Sequence, residues 1–210
     1  MYLPPHFAED RIDVLHSLIQ HHPLACLVTL EADGLTANHI PFLIMPPTED
    51  APFGTLLGHV AKANPVWQNT QEVLTVFQGT SAYITPSWYE EKQQTGAVVP
   101  TYNYAVVHAH GSFQSIDSKP EFLSLLSQLT NYFESARQLP WKISDAPSDY
   151  IDNMMEMIVG IRIPITRLTG KWKTSQNKSV QTRSNIAAGL REGTVTEQAM
   201  AGIIESQLFE

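Results

Sequence analysis

The order in which strand candidates follow one another constrains this chain most. Six or seven apolar, β-branched runs come nearly in succession, with helices inserted singly. LACLVTL (24–30) and LTANHIPFLIM (35–45) read as a hairpin closed at Asp33-Gly34. GTLLGHV (54–60) is a third strand. AKANPVWQN then reads as a short helix, followed by strands EVLTVFQG (72–79) and SAYIT (81–85). VPTYNYAVVHAHGSFQSI (99–116) is one long strand, or two with a bend at Gly111, and MIVGIRIPITRLTG (157–170) is the last. Helices are predicted over 9–20 and over 149–157. A capping box, Ser118 to Glu121, opens another with Phe122, Leu125, Leu126, Leu129 and Phe133 on its apolar side. Two more close the chain, over 179–190 and from a second capping box at Thr194 to Glu197. There is neither a regular βαβ alternation nor an internal repeat. The pattern predicts a mostly β fold with peripheral helices (α+β), an antiparallel barrel rather than a doubly wound sheet. Residues 1–170 form the expected barrel domain with inserted helices. Residues 171–210 form an expected C-terminal helical extension packed on it.

At 210 residues the chain can bury a sizeable core without staples. Its single cysteine, Cys26, lies in an apolar run and reads as a buried thiol. No apolar run approaches the roughly 18 residues that span a bilayer. The start, MYLPPHFAED, lacks a basic region followed by an apolar stretch. A cytoplasmic protein without a membrane partner is expected. The net charge of −8 hides an asymmetry. Residues 157–191 contain no acid but hold Arg162, Arg167, Lys171, Lys173, Lys178, Arg183 and Arg191. That strip suits a phosphate, on a ligand or on nucleic acid, or a solvated face balancing acidic neighbours. The usual dinucleotide, P-loop, zincin and nucleophile-elbow motifs are missing. His108-Ala-His110 puts two imidazoles on one strand face with no acid nearby in sequence, so no metal is expected.

Three polar-aromatic clusters stand at predicted strand ends. In the first, strand 54–60 runs into a short helix carrying His59, Lys62 and Asn64, where backbone N–H groups and a cation could meet a phosphate. A capped surface helix is the plainer reading. The second joins Tyr83-Ile-Thr-Pro-Ser-Trp-Tyr89 to Val99-Pro-Thr-Tyr102-Asn103-Tyr104 across a polar loop. It offers ring faces and an edge donor to a flat ligand, or else forms a dimer interface or core corner. The third, Lys171-Trp-Lys173-Thr-Ser175-Gln176-Asn177-Lys178, suits a phosphate or a polar ring edge, or caps the next helix. The intervening segment 90–98, EEKQQTGAV, reads equally as an ordered lid or as a disordered loop.

Six segments together resemble the PaiB family of FMN-binding negative transcriptional regulators. They are MYLPPHF, ANHIPFL (37–43), GHVAKANPVW (58–67), FQGTSAYITPSWY (77–89), VPTYNYAVVHAHG (99–111) and KTSQNK (173–178), in that order. The resemblance implies an antiparallel split β-barrel of the pyridoxamine-phosphate-oxidase type, a homodimer, and FMN at the subunit interface. It implies flavin contacts from Asn38, His39, Ile40 and Pro41, and phosphate contacts from His59, Lys62 and Asn64. Tyr83, Tyr102, Asn103, Lys173, Ser175, Gln176 and Asn177 complete the implied cofactor-binding set. The arginine-rich strand of the oxidases themselves is missing, which implies modest flavin affinity and a supporting role for the cations of the third cluster. The implied function is transcriptional repression with flavin occupancy as an input. The alternative is a flavin-dependent oxidoreductase acting on a small molecule, with Tyr102 and His108 the residues to test. DNA is a candidate partner, although no convincing helix-turn-helix is present.

Overall fold

Strict alternation makes the first hairpin a half-buried ribbon, and the rest of the sheet grows from it. The computed structural model describes residues 1–69 and 71–208. A single 3₁₀ turn at Pro5–Phe7 leads into β1 (Ala8–Glu9), α1 (Ile12–His21), β2 (Leu24–Glu31), β3 (Gly34–Pro41), β4 (Leu43–Met45) and β5 (Thr55–Ala61). There follow β6 (Glu72–Ile84), α2 (Glu91–Gln94), β7 (Thr101–Ser112) and β8 (Gln114–Ile116). The chain continues through α3 (Lys119–Glu134), α4 (Ser148–Glu156), β9 (Ile158–Lys173), α5 (Val180–Arg191) and α6 (Val195–Ser206). Hydrogen-bonded neighbours run β3-β2-β6-β7-β9-β5-β4, with β1 and β8 also on β9. The two end strands do not pair with each other, so the antiparallel sheet stays open, as a split barrel does.

Several predicted boundaries move, each for a physical reason. The 35–45 run divides because the strand changes partner. β3 pairs with β2, β4 pairs with β5, and Phe42 between them turns inward. Phe42 is fully buried, edge-on to Phe77 with ring centroids 6.4 Å apart. The runs at 72–79 and 81–85 fuse into one strand of 13 residues. Gly79 allows this, because a Cβ there would already touch Leu18 and the carbonyl oxygen of Ala105. The break in 99–116 falls at Phe113, and Gly111 stays within β7. The last strand runs to Lys173, since Ala8 and Glu9 pair with Lys171 and Gly170. The helix expected after β5 is one 3₁₀ turn, Pro65–Gln68. Both predicted capping residues, Ser118 and Thr194, accept the N–H three residues on.

The chain gathers into two compact units. One comprises Met1–His21, Gln78–Val107 and Thr169–Glu210; the other comprises His22–Phe77 and His108–Leu168. The core of the first unites Ala82, Ile84 and Tyr89 with Ile186 and Leu190 of α5 and Met200 and Ile204 of α6. Each such fully buried aliphatic side chain contributes about 1.5–3 kcal/mol, so α5 and α6 are held by packing rather than by helix propensity. In the second unit α3 and α4 set Phe122, Leu125, Leu129 and Met155 against Ile116, Leu57 and Ile158.

Candidate functional site

The residues singled out in the sequence fall into two groups, one in each unit. In the second unit, β3 alternates: Ile40 is buried and Asn38 half-buried, while His39 and Pro41 are exposed on the opposite face. Asn64 binds this strand to the turn after β5. Its Nδ2 donates to Asn38 Oδ1 at 2.8 Å, and its Oδ1 caps the 3₁₀ turn by accepting the Val66 N–H at 3.0 Å. The backbone N–H groups expected to meet a phosphate here are already committed. Lys62 N–H donates to the Met157 carbonyl and Asn64 N–H to that of Ala61, both at 2.9 Å. What this junction offers an anion is therefore side chains. Lys62 is exposed and forms no ion pair among the described residues. His59 has a buried Nδ1 without a hydrogen-bond partner, and burial pushes its pKa below the ordinary 6.5. Lys62 and Trp67 also border a cavity of about 240 Å³, with Ser115 and Asp117 on its rim.

In the first unit the second and third clusters meet. The exposed rings of Tyr83 and Tyr102 stand edge to face, with centroids 5.8 Å apart. Asn103, 1% exposed, forms a cyclic pair with Ser175: its Nδ2 donates to Oγ at 2.9 Å, and the hydroxyl donates back to Oδ1 at 3.2 Å. Ser175 has φ of +67°, the one positive value outside glycine among the described residues. Gln176 turns back on its own loop. Its Oε1 accepts the Thr174 N–H at 2.8 Å and its Nε2 donates to the Trp172 carbonyl at 2.5 Å. Gln176 therefore braces the loop, with both ends of its amide engaged. Lys173 Nζ donates to Thr101 Oγ1 and, at 2.5 Å, to the Tyr102 carbonyl. Burial pushes its pKa below the usual lysine range.

Around these groups lies a pocket of about 340 Å³. Its polar side is Asn103, Lys173, Ser175, Asn177 and Lys178. Its apolar side is Phe7, Tyr89, Val98 and Val99. Lys178 sits 4.7 Å above the Tyr89 ring and 3.4 Å from Glu91 Oε1, which ties α2 to the start of α5. Residues 90–98 contain α2 and a turn in which Gly96 adopts φ of +70°. Val99 belongs to the second cluster marked in the sequence, whereas Phe7 and Val98 were not marked as wall residues. Their only signal was apolar character beside clusters already marked.

The basic strip is dispersed by its partners. Arg162 pairs with Glu121 at 2.8 Å, and Arg167 meets Glu72 at 3.5 Å and His110 Nδ1 at 3.0 Å. Arg191 pairs with Glu205, and Arg183 donates to the Gln207 carbonyl at 2.7 Å. Lys171 is buried, donates to the Tyr2 carbonyl at 3.1 Å, and faces the rings of Tyr2 and Tyr104. Among the described residues no three His, Cys, Asp or Glu side chains converge as a metal cage. No helix among the described residues is long and apolar enough to cross a membrane. Cys26, expected in the core, is half-buried on the outer face of β2, opposite His39.

Known proteins place these features in a family. The family model described as "Putative FMN-binding domain" matches residues 1–167. The protein AN0679 of Emericella nidulans is 35% identical over 99% of this chain and 97% of its own length. Protease synthase and sporulation protein PAI 2 of Bacillus subtilis is 28% identical over 99% and 98%. The FAD and heme binding protein from Mycobacterium smegmatis shares the fold with a TM-score of 0.59 at 16% identity, covering 86% of this chain and 78% of that one. The flavocytochrome Anf3 from Azotobacter vinelandii does so with a TM-score of 0.56 at 12% identity, covering 79% and 69%. With four-fifths of its length matched by the family model and the six motifs in order, the chain belongs to the PaiB-like FMN-binding-domain family.

Proposed function

We propose that this chain binds FMN as a homodimer and acts as a cytoplasmic, flavin-responsive regulator of transcription of the PaiB kind. The observation that carries the flavin reading is the set of unmatched polar groups at the end of β5 and just beyond it. His59 carries a buried imidazole nitrogen without a partner and Lys62 an ammonium without a carboxylate among the described residues, both within five residues in sequence of Asn64, whose bond to Asn38 fixes β3. An unsatisfied buried donor or acceptor is costly, and a ligand phosphate would relieve it. In this reading Lys62 and His59 take the phosphate, and Asn38, held by Asn64, presents its amide to the ring edge. Ile40 supplies an apolar contact. Bound FMN would supply a two-electron redox centre; the protein supplies placement.

The outer face of the hairpin supports the dimer. Leu24, Cys26, Val28 and Leu30 lie directly opposite Pro41, His39, Ala37 and Leu35. A solvated sheet face normally carries polar side chains. Here Leu24, Leu30 and Leu35 are 63%, 54% and 76% exposed in the single chain. His39 and Pro41 belong to this face, so their implied flavin contacts would be made toward a second copy.

The test is titration of flavin-free protein with FMN and, separately, FAD, followed by flavin fluorescence. Molar mass by light scattering is measured in parallel. FMN binding in a particle of twice the chain mass is expected, with affinity reduced at least tenfold in Lys62→Ala. No saturable binding of either flavin would overturn the proposal. The regulatory part is tested by gel shift on upstream DNA across a salt series. Because the basic strip is engaged within the chain, a shift would have to survive substitutions in that strip.

A further inference from the structure

The pocket in the first unit has a chemistry of its own. Its lining contains two ammonium groups, Lys173 and Lys178, and no carboxylate. Lys178 is balanced by Glu91, 3.4 Å away outside the lining. Lys173 has no carboxylate partner among the described residues, and two of its three N–H bonds are taken by Thr101 and Tyr102. One N–H and about one positive charge are thus left over, in a setting that already disfavours the charged form. A single anionic oxygen would satisfy both.

The polar side is built rather than fortuitous. Ser175 is held in the left-handed region although it is not glycine, and strain of this kind persists only where surrounding contacts over-determine it. Those contacts are the buried Asn103 pair and the Gln176 brace. The same lining includes the apolar groups Phe7, Tyr89, Val98 and Val99. A volume of about 340 Å³ lies within the range of small-molecule sites, where a few polar groups orient a largely apolar ligand.

We infer that this pocket is a ligand site separate from that of the flavin, and that it takes a small carboxylate with an aromatic or branched apolar body. The carboxylate meets Lys173 and the body lies against Tyr89, Val98 and Val99. This goes beyond the proposed flavin binding and does not depend on it.

The experiment uses the full chain, both flavin-free and FMN-loaded. Benzoate, phenyl phosphate and inorganic phosphate are each titrated by calorimetry, with thermal shift in parallel. Benzoate is expected to bind saturably, with the same affinity in both forms. Lys173→Met, which keeps the aliphatic stem, and Val99→Asp, which puts a like charge at an exposed wall position, should each weaken it at least tenfold. Val99 is 74% exposed, so its variant folds whatever the ligand does, and circular dichroism confirms this. Absence of benzoate binding, or binding unchanged in both variants, would overturn the inference. One-for-one displacement by FMN would assign the pocket to the flavin and overturn it as well. Phenyl phosphate binding tenfold tighter than benzoate at the same residues would overturn the choice of a carboxylate.

Discussion

Replacing Ser175 separates backbone strain from hydrogen bonding at one buried position. Ser175→Ala removes the hydroxyl that both accepts from and donates to the Asn103 carboxamide. Asn103 is 1% exposed, so its two polar atoms would be left buried. An unsatisfied buried amide costs about 1–3 kcal/mol. Ser175 lines the pocket, so water can reach part of the gap, which favours the lower half of that range: about 1–2 kcal/mol. Ser175→Gly loses the same bonds but removes the left-handed penalty of about 1–2 kcal/mol. The looser unfolded chain takes back about 0.4–1 kcal/mol of that gain. Glycine should therefore be more stable than alanine here by about 0.5–1 kcal/mol, although neither restores the wild type. Urea unfolding at one fixed protein concentration, without flavin, measures both. The pairing is unaffected by which way the Asn103 amide is drawn, since either orientation leaves one donor and one acceptor facing Oγ. The reasoning fails if Ser175→Ala costs less than about 0.5 kcal/mol, or if Ser175→Gly is the less stable of the two.

Four other outcomes follow from the same structure. Burial holds the pKa values of His59, His108 and His110 below 6.5, so these imidazoles stabilise the fold when neutral. That stability is complete above pH 6.5 and is lost as pH falls through the depressed values, at no more than about 1.4 kcal/mol per pH unit for each proton taken up. Tm should fall between pH 7 and 5, and His59→Gln should flatten the slope; a flat wild-type profile would contradict the assignment. Gly111→Ala should cost about 3 kcal/mol in urea unfolding, because its Cβ would overlap the rigid Pro164 carbonyl. Gly189→Ala should cost less than Gly111→Ala, since its clash is with the Trp88 side chain and alanine favours α5. Thr194→Ala should cost about 1 kcal/mol by opening the cap that Thr194 and Glu197 make reciprocally.

The element types were legible because period-two alternation and capping boxes are local signals. Boundaries that depend on a partner were not. Phe42 divides a run that reads as one strand only because β4 finds β5. Lys171 to Lys173 are strand rather than loop because Ala8 and Glu9 return to pair near them. The same limit governs the site. Each polar cluster was visible as a composition, yet its chemistry lies in bonds between distant residues. Asn38 and Asn64 are 26 apart, and Asn103 and Ser175 are 72 apart. The short helix expected to give its N–H groups to a phosphate is a single turn, and the N–H groups of Lys62, Asn64 and Val66 bond within the chain.

The seven cations between residues 157 and 191 show why a charge count and a binding surface are different quantities. A count measures supply; binding depends on what is left after intramolecular pairing. Arg162, Arg167, Lys178 and Arg191 each face a carboxylate, and Arg183 holds a backbone carbonyl. Lys171 is enclosed by two tyrosine rings. Surface pairs of this kind contribute little stability, about 0–1 kcal/mol each, but they still shorten the reach of the charges. Lys173 alone of the seven combines partial burial and depressed basicity with the lack of a carboxylate partner among the described residues, Tyr104 being the group that offsets its charge. Its position in a pocket with an apolar wall, rather than on an open face, points the leftover charge toward a small molecule. A nucleic-acid backbone needs several such charges in a row, and the strip does not present them.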